Sequence, residues 1–443
     1  DEEVNRAFLG ANFRDVITEE ISVMLQQTKW PLAIRSSSLL EDSSHQPFAG
    51  VYATYMLAND HPELEVRLRR LLEAIKLVYA STYHRGAKAY VAATPSTIED
   101  ERMAVVIQDL IGDEINGRFY PMISGAARSR NHYPVEPLIA EDGIAAICIG
   151  LGRQVSAGGK CLRYSPGQPR RIHQFHSNQA ILDTSQRNFF AIPMNQEDGA
   201  VHSSEERNLL NLGLAEAEED GCLSLVGSTY VVSDDRMVDS VAVDGGPRVV
   251  TFAPVLKHGR FPLSEILSHV LNTCQNYIGS PVELEFAMSI DQASGEQRFA
   301  ILQVRPMMEE SVDINIDLSA VDRSKAMCIC SQSLGNGIIE GISDVVYVHP
   351  GRLDRMHTMD LTSEIEAIDA ALRAEERPYV LIGPGRWGSS DPSLGIPVQW
   401  DQIMGSRTIV EVPMSDIHVE PSQGTHFFQN IITFNIGYLT IGT

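Results

Sequence analysis

The sequence predicts an α+β fold in about three folding units, and three observations carry that prediction. Apolar residues recur at helical spacing in isolated stretches, most clearly from Glu63 to Tyr79. Short apolar or β-branched runs lie apart from them, at Met103 to Ile111, Ile144 to Ile149, Val282 to Ser289 and Arg298 to Val304. An acidic, linker-like stretch, 309–322, then divides residues 1–308 from a smaller region, 323–443, that is rich in glycine and β-branched residues and reads as β-rich.

Taken in order, residues 1–29 read as a helix that ends at Thr28-Lys29-Trp30-Pro31, because the residue before a proline avoids the helical region. Leu32-Ala33-Ile34 is a short strand that runs into the polar segment Arg35 to Gly50. In the helix from Glu63 to Tyr79, Leu64, Leu68, Leu71, Leu72, Ile75 and Tyr79 form one stripe, and Glu65 precedes Arg69 at the spacing of a helix ion pair. Met103 to Ile111 and Ile144 to Ile149 read as buried strands on either side of the polar stretch Ser124 to Pro134. Residues 150–200 read as loops on a scaffold. Helices are expected at 204–217 and 264–277, the second capped by Ser264 with Leu267, Val270 and Leu271 inward. The runs Val282 to Ser289 and Arg298 to Val304, joined by the polar turn Asp291 to Gln297, read as paired strands.

Composition narrows the function. The chain of 443 residues is 43% hydrophobic and 21% charged, which is globular rather than disordered. Its 35 Lys and Arg against 58 Asp and Glu give a net charge of −23. A surface that acidic repels phosphate backbones and anionic lipid, so neither nucleic acid nor membrane is an expected partner. No apolar run approaches the ~18 residues of a membrane-spanning helix. The start, DEEVNRAF, has no initiator Met and no signal-peptide pattern, and reads as an internal cut or a processed end. Six scattered cysteines make no disulfide framework, so a cytoplasmic setting is expected, and Cys328-Ile329-Cys330 reads as strand rather than metal site.

Two constellations could carry chemistry. Arg35-Ser36-Ser37-Ser38, then Glu41-Asp42 and Phe48-Ala49-Gly50, set a guanidinium and hydroxyls after a strand and before a glycine loop, which suits phosphate. The plainer reading is a solvated loop in which Arg35 pairs with Glu41 or Asp42. In the second, Glu283 and Glu285 share one strand face, and Gln303 and Arg305 share another, because side chains alternate. If the two strands are neighbours, hard oxygen ligands suited to Mg²⁺ and a phosphate-neutralising arginine converge. The plainer reading is a ribbon with an exposed Glu–Arg cross-strand pair.

Together these segments carry a resemblance. Arg35-Ser36-Ser37 through Phe48-Ala49-Gly50 resembles the "RSS…ED…FAG" signature of the ATP-binding domain of the pyruvate phosphate dikinase and phosphoenolpyruvate synthase family, and Leu302-Gln303-Val304-Arg305-Pro306 its terminal "LQxRP". Val106-Ile107-Gln108, Ser124-Gly125-Ala126-Ala127 with Arg130-Asn131, and Gly150-Leu151-Gly152 are similar to three further landmarks in the family's order. The resemblance implies an ATP-grasp-like nucleotide-binding domain over 1–308, with ATP and Mg²⁺ as cofactors. Arg35, Ser36 and Gly50 would hold ATP phosphates, Gln108 would face the adenine, Glu285 and Gln303 would ligate Mg²⁺, and Arg305 would stabilise the transferred phosphoryl group. The family's glycine-flanked lysine has no counterpart, since Lys29 alone precedes Arg35 and lacks the glycines, so an upstream piece is expected to be missing.

The C-terminal region extends the resemblance. Leu334-Gly335-Asn336-Gly337 to Val345-Val346 is similar to the opening of the family's swivelling phosphohistidine domain, and Gly424-Thr425-His426 to the segment holding its histidine. Phe427-Phe428 replace two alanines and Thr425 a serine. His426 is therefore either a carrier histidine at a helix N-terminus or a residue that packs or faces solvent while Thr425 caps the helix. Gly383-Pro384-Gly385-Arg386-Trp387-Gly388 reads not as a dinucleotide fingerprint but as a loop presenting Arg386 and Trp387 to a neighbour, or as a plain turn. The expected activity is phosphotransfer from ATP through a histidine to pyruvate or another small-molecule acceptor. The alternatives are an inactive nucleotide-binding regulatory module, or a kinase or dikinase of a different acceptor such as a glycan.

Overall fold

In the computed structural model the described residues are 1–41, 50–94, 97–195, 199–291, 294–307, 322–330, 333–335, 337–352, 358–414 and 425–441. Asp42, Phe48, Ala49, Asn336, Gly424, most of the 309–322 stretch and the inserted residues 416–422 lie outside them. The secondary structure is a mixture of helix and strand, as the α+β prediction requires.

The first stretch forms two helices, α1 (Glu2–Leu9) and α2 (Asp15–Gln27), rather than one. Gly10 closes α1, and the chain is already extended at Thr28, ahead of Pro31. Strand β1 (Leu32–Ser38) continues past Ile34 to include Arg35. It lies between β2 (Thr54–Leu57) and β3 (Met103–Asp109), antiparallel to both. Helix α3 (Leu64–Ser81) covers one face with Leu71, Ala74, Ile75, Leu77 and Val78 against Leu32, Ile34 and Tyr55. β3 alternates instead of being buried: Met103, Val105 and Ile107 pack inward and Val106 is exposed. Arg69 pairs with Glu73 at 3.2 Å, and not with Glu65.

A second helix, α4 (Arg85–Ala92), precedes the main sheet. That sheet contains β4 (Ile123–Arg128), β5 (Ile144–Cys148), β6 (Leu162–Tyr164), β7 (Val282–Ile290) and β8 (Gln297–Pro306), all antiparallel in the order β8-β7-β4-β5-β6. The polar stretch at Ser124 thus supplies the central strand. Helix α5 (Leu263–Ile278) buries Leu263, Leu267 and Leu271 in the largest core, beneath Leu284 and Phe286. It begins at Leu263, one residue earlier than expected, so Ser264 sits inside the first turn and donates to the Tyr164 hydroxyl at 3.4 Å instead of capping. The expected helix at 204–217 is instead a short turn, a strand (Leu210–Gly213) and a helix (Leu214–Glu219). The strand Asn188–Pro193 offers a pairing edge there, and tertiary pairing overrides helix propensity.

The final region is a layered α/β unit rather than a predominantly β one. Its strands are β9 (Ser333–Leu334), β10 (Asp344–Tyr347), β11 (Tyr379–Pro384), β12 (Ser406–Val412) and β13 (Gly437–Thr440), ordered β9-β13-β12-β11-β10. β10 to β13 are parallel, and parallel neighbours need crossovers, which α6 (Thr358–Ala374) provides between β10 and β11 and α7 (His426–Thr433) between β12 and β13. Cys328 to Cys330 is coil, not strand. Arg386 and Trp387 are buried within this unit instead of being presented to a neighbour. The residues after them make the contact: Ser389 Oγ donates to the Gly158 carbonyl at 2.8 Å and Ser390 N–H to Ala157 at 3.0 Å.

One aromatic core joins the two regions. Tyr52, Ala87, Tyr90, Val91 and Tyr133 from the first pack with Trp400, Phe427, Phe428 and Tyr438 from the second. Tyr90 lies 4.6 Å from the Phe434 ring centroid, and Trp400 stacks on Phe434 at 5.0 Å. No helix among the described residues is long and apolar enough to cross a membrane. Because Leu267 is fully buried under the main sheet and distant in sequence from the site residues, Leu267→Ala is expected to cost about 2–5 kcal/mol in denaturant unfolding while nucleotide affinity is unchanged.

Candidate nucleotide-binding cleft

The β1 sheet, the main sheet and α7 enclose a cleft of about 590 Å³, the size of a small-molecule site. Arg35 and Ser36 reach it from β1, Gln108 from β3, Glu283 and Glu285 from β7, Arg305 from β8, and Gly50 and His426 from connections that are distant in sequence. Seven of the eight sequence-predicted residues therefore line one space. Gln303, the eighth, joins it through Arg35.

Pairing of β7 with β8 sets the geometry. Glu285 is opposite Gln303, and Glu283 is opposite Arg305. A register shift follows Glu285, and such bulges re-aim side chains beside functional sites. Arg35 crosses from the other sheet, and its Nη2 donates to Glu285 Oε2 at 2.9 Å and to Gln303 Oε1 at 2.7 Å. Arg35 lies within the strand, not after it, so its guanidinium is aimed by the sheet and not by a loop. Its carboxylate partner is Glu285; Glu41 instead pairs with Arg305 at 3.4 Å. The cross-strand Glu283–Arg305 register pair forms no ion pair among the described contacts, because Glu283 turns to Arg128. Gln108 Nε2 donates to the Leu302 carbonyl at 3.4 Å and ties the β1 sheet to β8.

His426 opens α7, with Thr425 as its cap: Thr425 Oγ1 accepts from Phe428 N–H at 3.1 Å. Thr425 thus caps the helix, and the His426 side chain lines the cleft. Its ring packs over Gly50, where φ is +67° and an added Cβ would overlap the imidazole. Only glycine satisfies both demands.

The charges follow from this packing. Burial alone would push the Glu285 carboxyl up, but Arg35, His426 and Arg305 together hold it below the usual carboxylate range. Burial pulls His426 down, Glu285 opposes it, and Arg305 adds to the fall, so the imidazole is neutral at pH 7. Glu285 and Gln303 bring two hard oxygens to a single guanidinium nitrogen, a donor set that fits Mg²⁺ when the arginine turns to phosphate.

Several residues of the site escaped the sequence. Arg153 lines the cleft and pairs with Glu205 at 3.1 Å and Glu206 at 2.7 Å. It directly follows Gly150-Leu151-Gly152, a signal that could have found it. Buried Glu101 accepts from Ser38 Oγ at 3.0 Å, from Leu40 N–H at 3.3 Å and from the Tyr52 hydroxyl. It thereby joins Ser38 and Leu40 to Tyr52, and nothing in its local sequence marks that role.

Residues 1–321 match the family described as the pyruvate phosphate dikinase AMP/ATP-binding domain. The chain belongs to that family. Within the match, the pyruvate phosphate dikinase-type domain holds Arg35, Gln108, Glu285, Gln303 and Arg305, whereas His426 lies beyond its end. The chain is also 21% identical over 340 residues to the uncharacterized phosphotransferase YvkC of Bacillus subtilis (strain 168). That alignment covers 76% of this chain and 31% of YvkC, so the chain spans about a third of that relative's length.

With Arg35 replaced, burial dominates at Glu285. In Arg35→Met the Glu285 carboxyl is expected to titrate at higher pH than in the wild type, followed by carbon-13 carboxyl resonances. Because the lowered carboxyl stabilises the fold above its unfolded-state value and loses that contribution as pH falls, the wild type should also lose more stability than the variant on acidification.

Proposed function

We propose that this chain is the nucleotide-binding and phosphoryl-transferring part of an ATP- and Mg²⁺-dependent phosphotransferase, in which His426 receives a phosphoryl group from ATP. The family membership supports ATP as the nucleotide. The observation that carries the transfer is the His426 ring, seated over Gly50 in the same cleft as Arg35, Glu285 and Arg305. On this reading 1–308 is an ATP-grasp-like domain that clasps ATP between the β1 sheet and β7–β8, 309–322 is a linker, and 323–443 is a phosphohistidine carrier domain.

The roles follow from charge and position. Arg35 and Ser36 bind phosphate oxygens, and the strand setting of Arg35 limits the entropy lost on binding. Gln108, beside Leu302, faces the base. Glu285 and Gln303 hold Mg²⁺, which supplies charge neutralisation on the phosphates. The neutral imidazole of His426 attacks phosphorus; an N–P bond forms, the P–O bond to the nucleotide breaks, and the leaving oxygen keeps the electron pair. Arg305 is placed to stabilise the negative charge in that transition state. The phosphohistidine then passes its group to pyruvate or another small-molecule acceptor.

Labelled ATP tests this. An acid-labile phosphoprotein should form in the wild type and be lost in His426→Ala, whereas Arg305→Ala should slow labelling about 100-fold or more with the fold intact. Tight ATP binding without any such label would instead make the chain a nucleotide-binding module. Because burial holds the imidazole below its ordinary value, the midpoint of the decline in labelling as pH falls should lie below 6.5. A midpoint above 6.5 would contradict the electrostatics.

A further inference from the structure

We propose that Glu283 is a positioning residue that sets the register of α7, and hence of His426, through a contact with Gln429. The inference rests on the proposed transfer to His426 and adds to it the device that seats the helix. Glu283 divides its carboxylate between two regions. Oε2 accepts from Arg128 Nε on the neighbouring strand β4, and Oε1 accepts from Gln429 Nε2 on α7. Gln429 stands one helical turn after His426, so the two side chains share a face and both line the cleft. Phe428, between them, lies under the Arg128 guanidinium at 5.5 Å.

Strand geometry explains why this contact can set a distance. Glu283 and Glu285 are alternate residues of β7 on one face, spaced about 7 Å along the strand. One end of that spacing holds Glu285 beside Arg35, and the other holds the helix carrying His426. The nucleotide side and the imidazole are therefore measured from the same mostly buried strand.

The uncharged partner matters as well. An amide donating to a carboxylate makes a charge-assisted hydrogen bond, stronger than a neutral one. When α7 departs, however, the Gln429 amide is taken up by water, while Glu283 stays paired with Arg128, which is 3% exposed and would otherwise be a buried charge without a partner. A lysine or arginine at 429 would leave an ion pair to break at each departure. The contact orients the helix and still releases it.

The test follows His426 labelling from ATP in single turnover on the full chain, with nucleotide affinity measured in parallel. Gln429→Ala should slow labelling about ten- to hundredfold with nucleotide affinity within about twofold of wild type, Glu283→Gln should slow labelling comparably, and the double variant should be no slower than the slower single variant. Gln429→Glu, which sets like charges together, should be slow too, and adding Glu283→Gln should restore part of the rate by reversing the amide–carboxylate pair. Wild-type labelling rates in Gln429→Ala, or additive losses in the double variant, overturn the proposal while the phosphohistidine stands. An unlabelled wild type overturns the phosphohistidine itself and the positioning role with it.

Discussion

Arg35 reaching across from one sheet to Glu285 and Gln303 on another is the contact around which the cleft is organised. It bridges residues some 250 positions apart, 268 for Gln303, and does so with a strand-borne guanidinium against strand-borne acceptors. Such a pair is costly to bury without full satisfaction, and here two oxygens share one nitrogen at hydrogen-bond distance. Glu285 and Gln303 together hold the Arg35 guanidinium in one place between the two sheets.

The remaining architecture serves the approach of α7 to that site. A core of aromatic residues, contributed by α4, Tyr52 and Tyr133 on one side and by Trp400, Phe427, Phe428 and Tyr438 on the other, brings the C-terminal unit onto the first region. Two glycines make the fit close. Gly50 leaves room for the imidazole, and Gly388, at φ +74°, leaves room for Phe427, which a Cβ would overlap. The Phe427-Phe428 pair, which departs from the two alanines of the resembling motif, is thereby explained as packing. Phe428 is fully buried, against Tyr133 and Tyr438 and beneath Arg128.

Charge distribution separates the site from the surface. The chain carries −23 overall, yet Arg35, Arg153 and Arg305 all line one cleft, each against a carboxylate. An acidic exterior with a paired basic interior suits a small polyanion that can displace those carboxylates, and it disfavours an extended one such as a nucleic-acid backbone.

The sequence by itself determined the paired strands β7 and β8 and the helices α3 and α5, because period-two and period-3.6 patterns are local. It missed the strand at Leu210, the division of α1 from α2 and the true capping of α5, where a pairing edge or a neighbouring side chain outweighed local propensity. Its plainer alternative paired Arg35 with a neighbour in sequence such as Glu41, whereas Arg35 pairs with Glu285 and Glu41 with Arg305, since nearness in sequence was the only distance available. Only the tertiary structure decided that Arg35 faces Glu285, that Glu101 joins Ser38 to Tyr52, and that His426 lies over Gly50 with Glu283 in contact with its helix. Those contacts join residues separated by 49 positions or more and depend on the packing of sheets and the shared aromatic core, which no local pattern encodes.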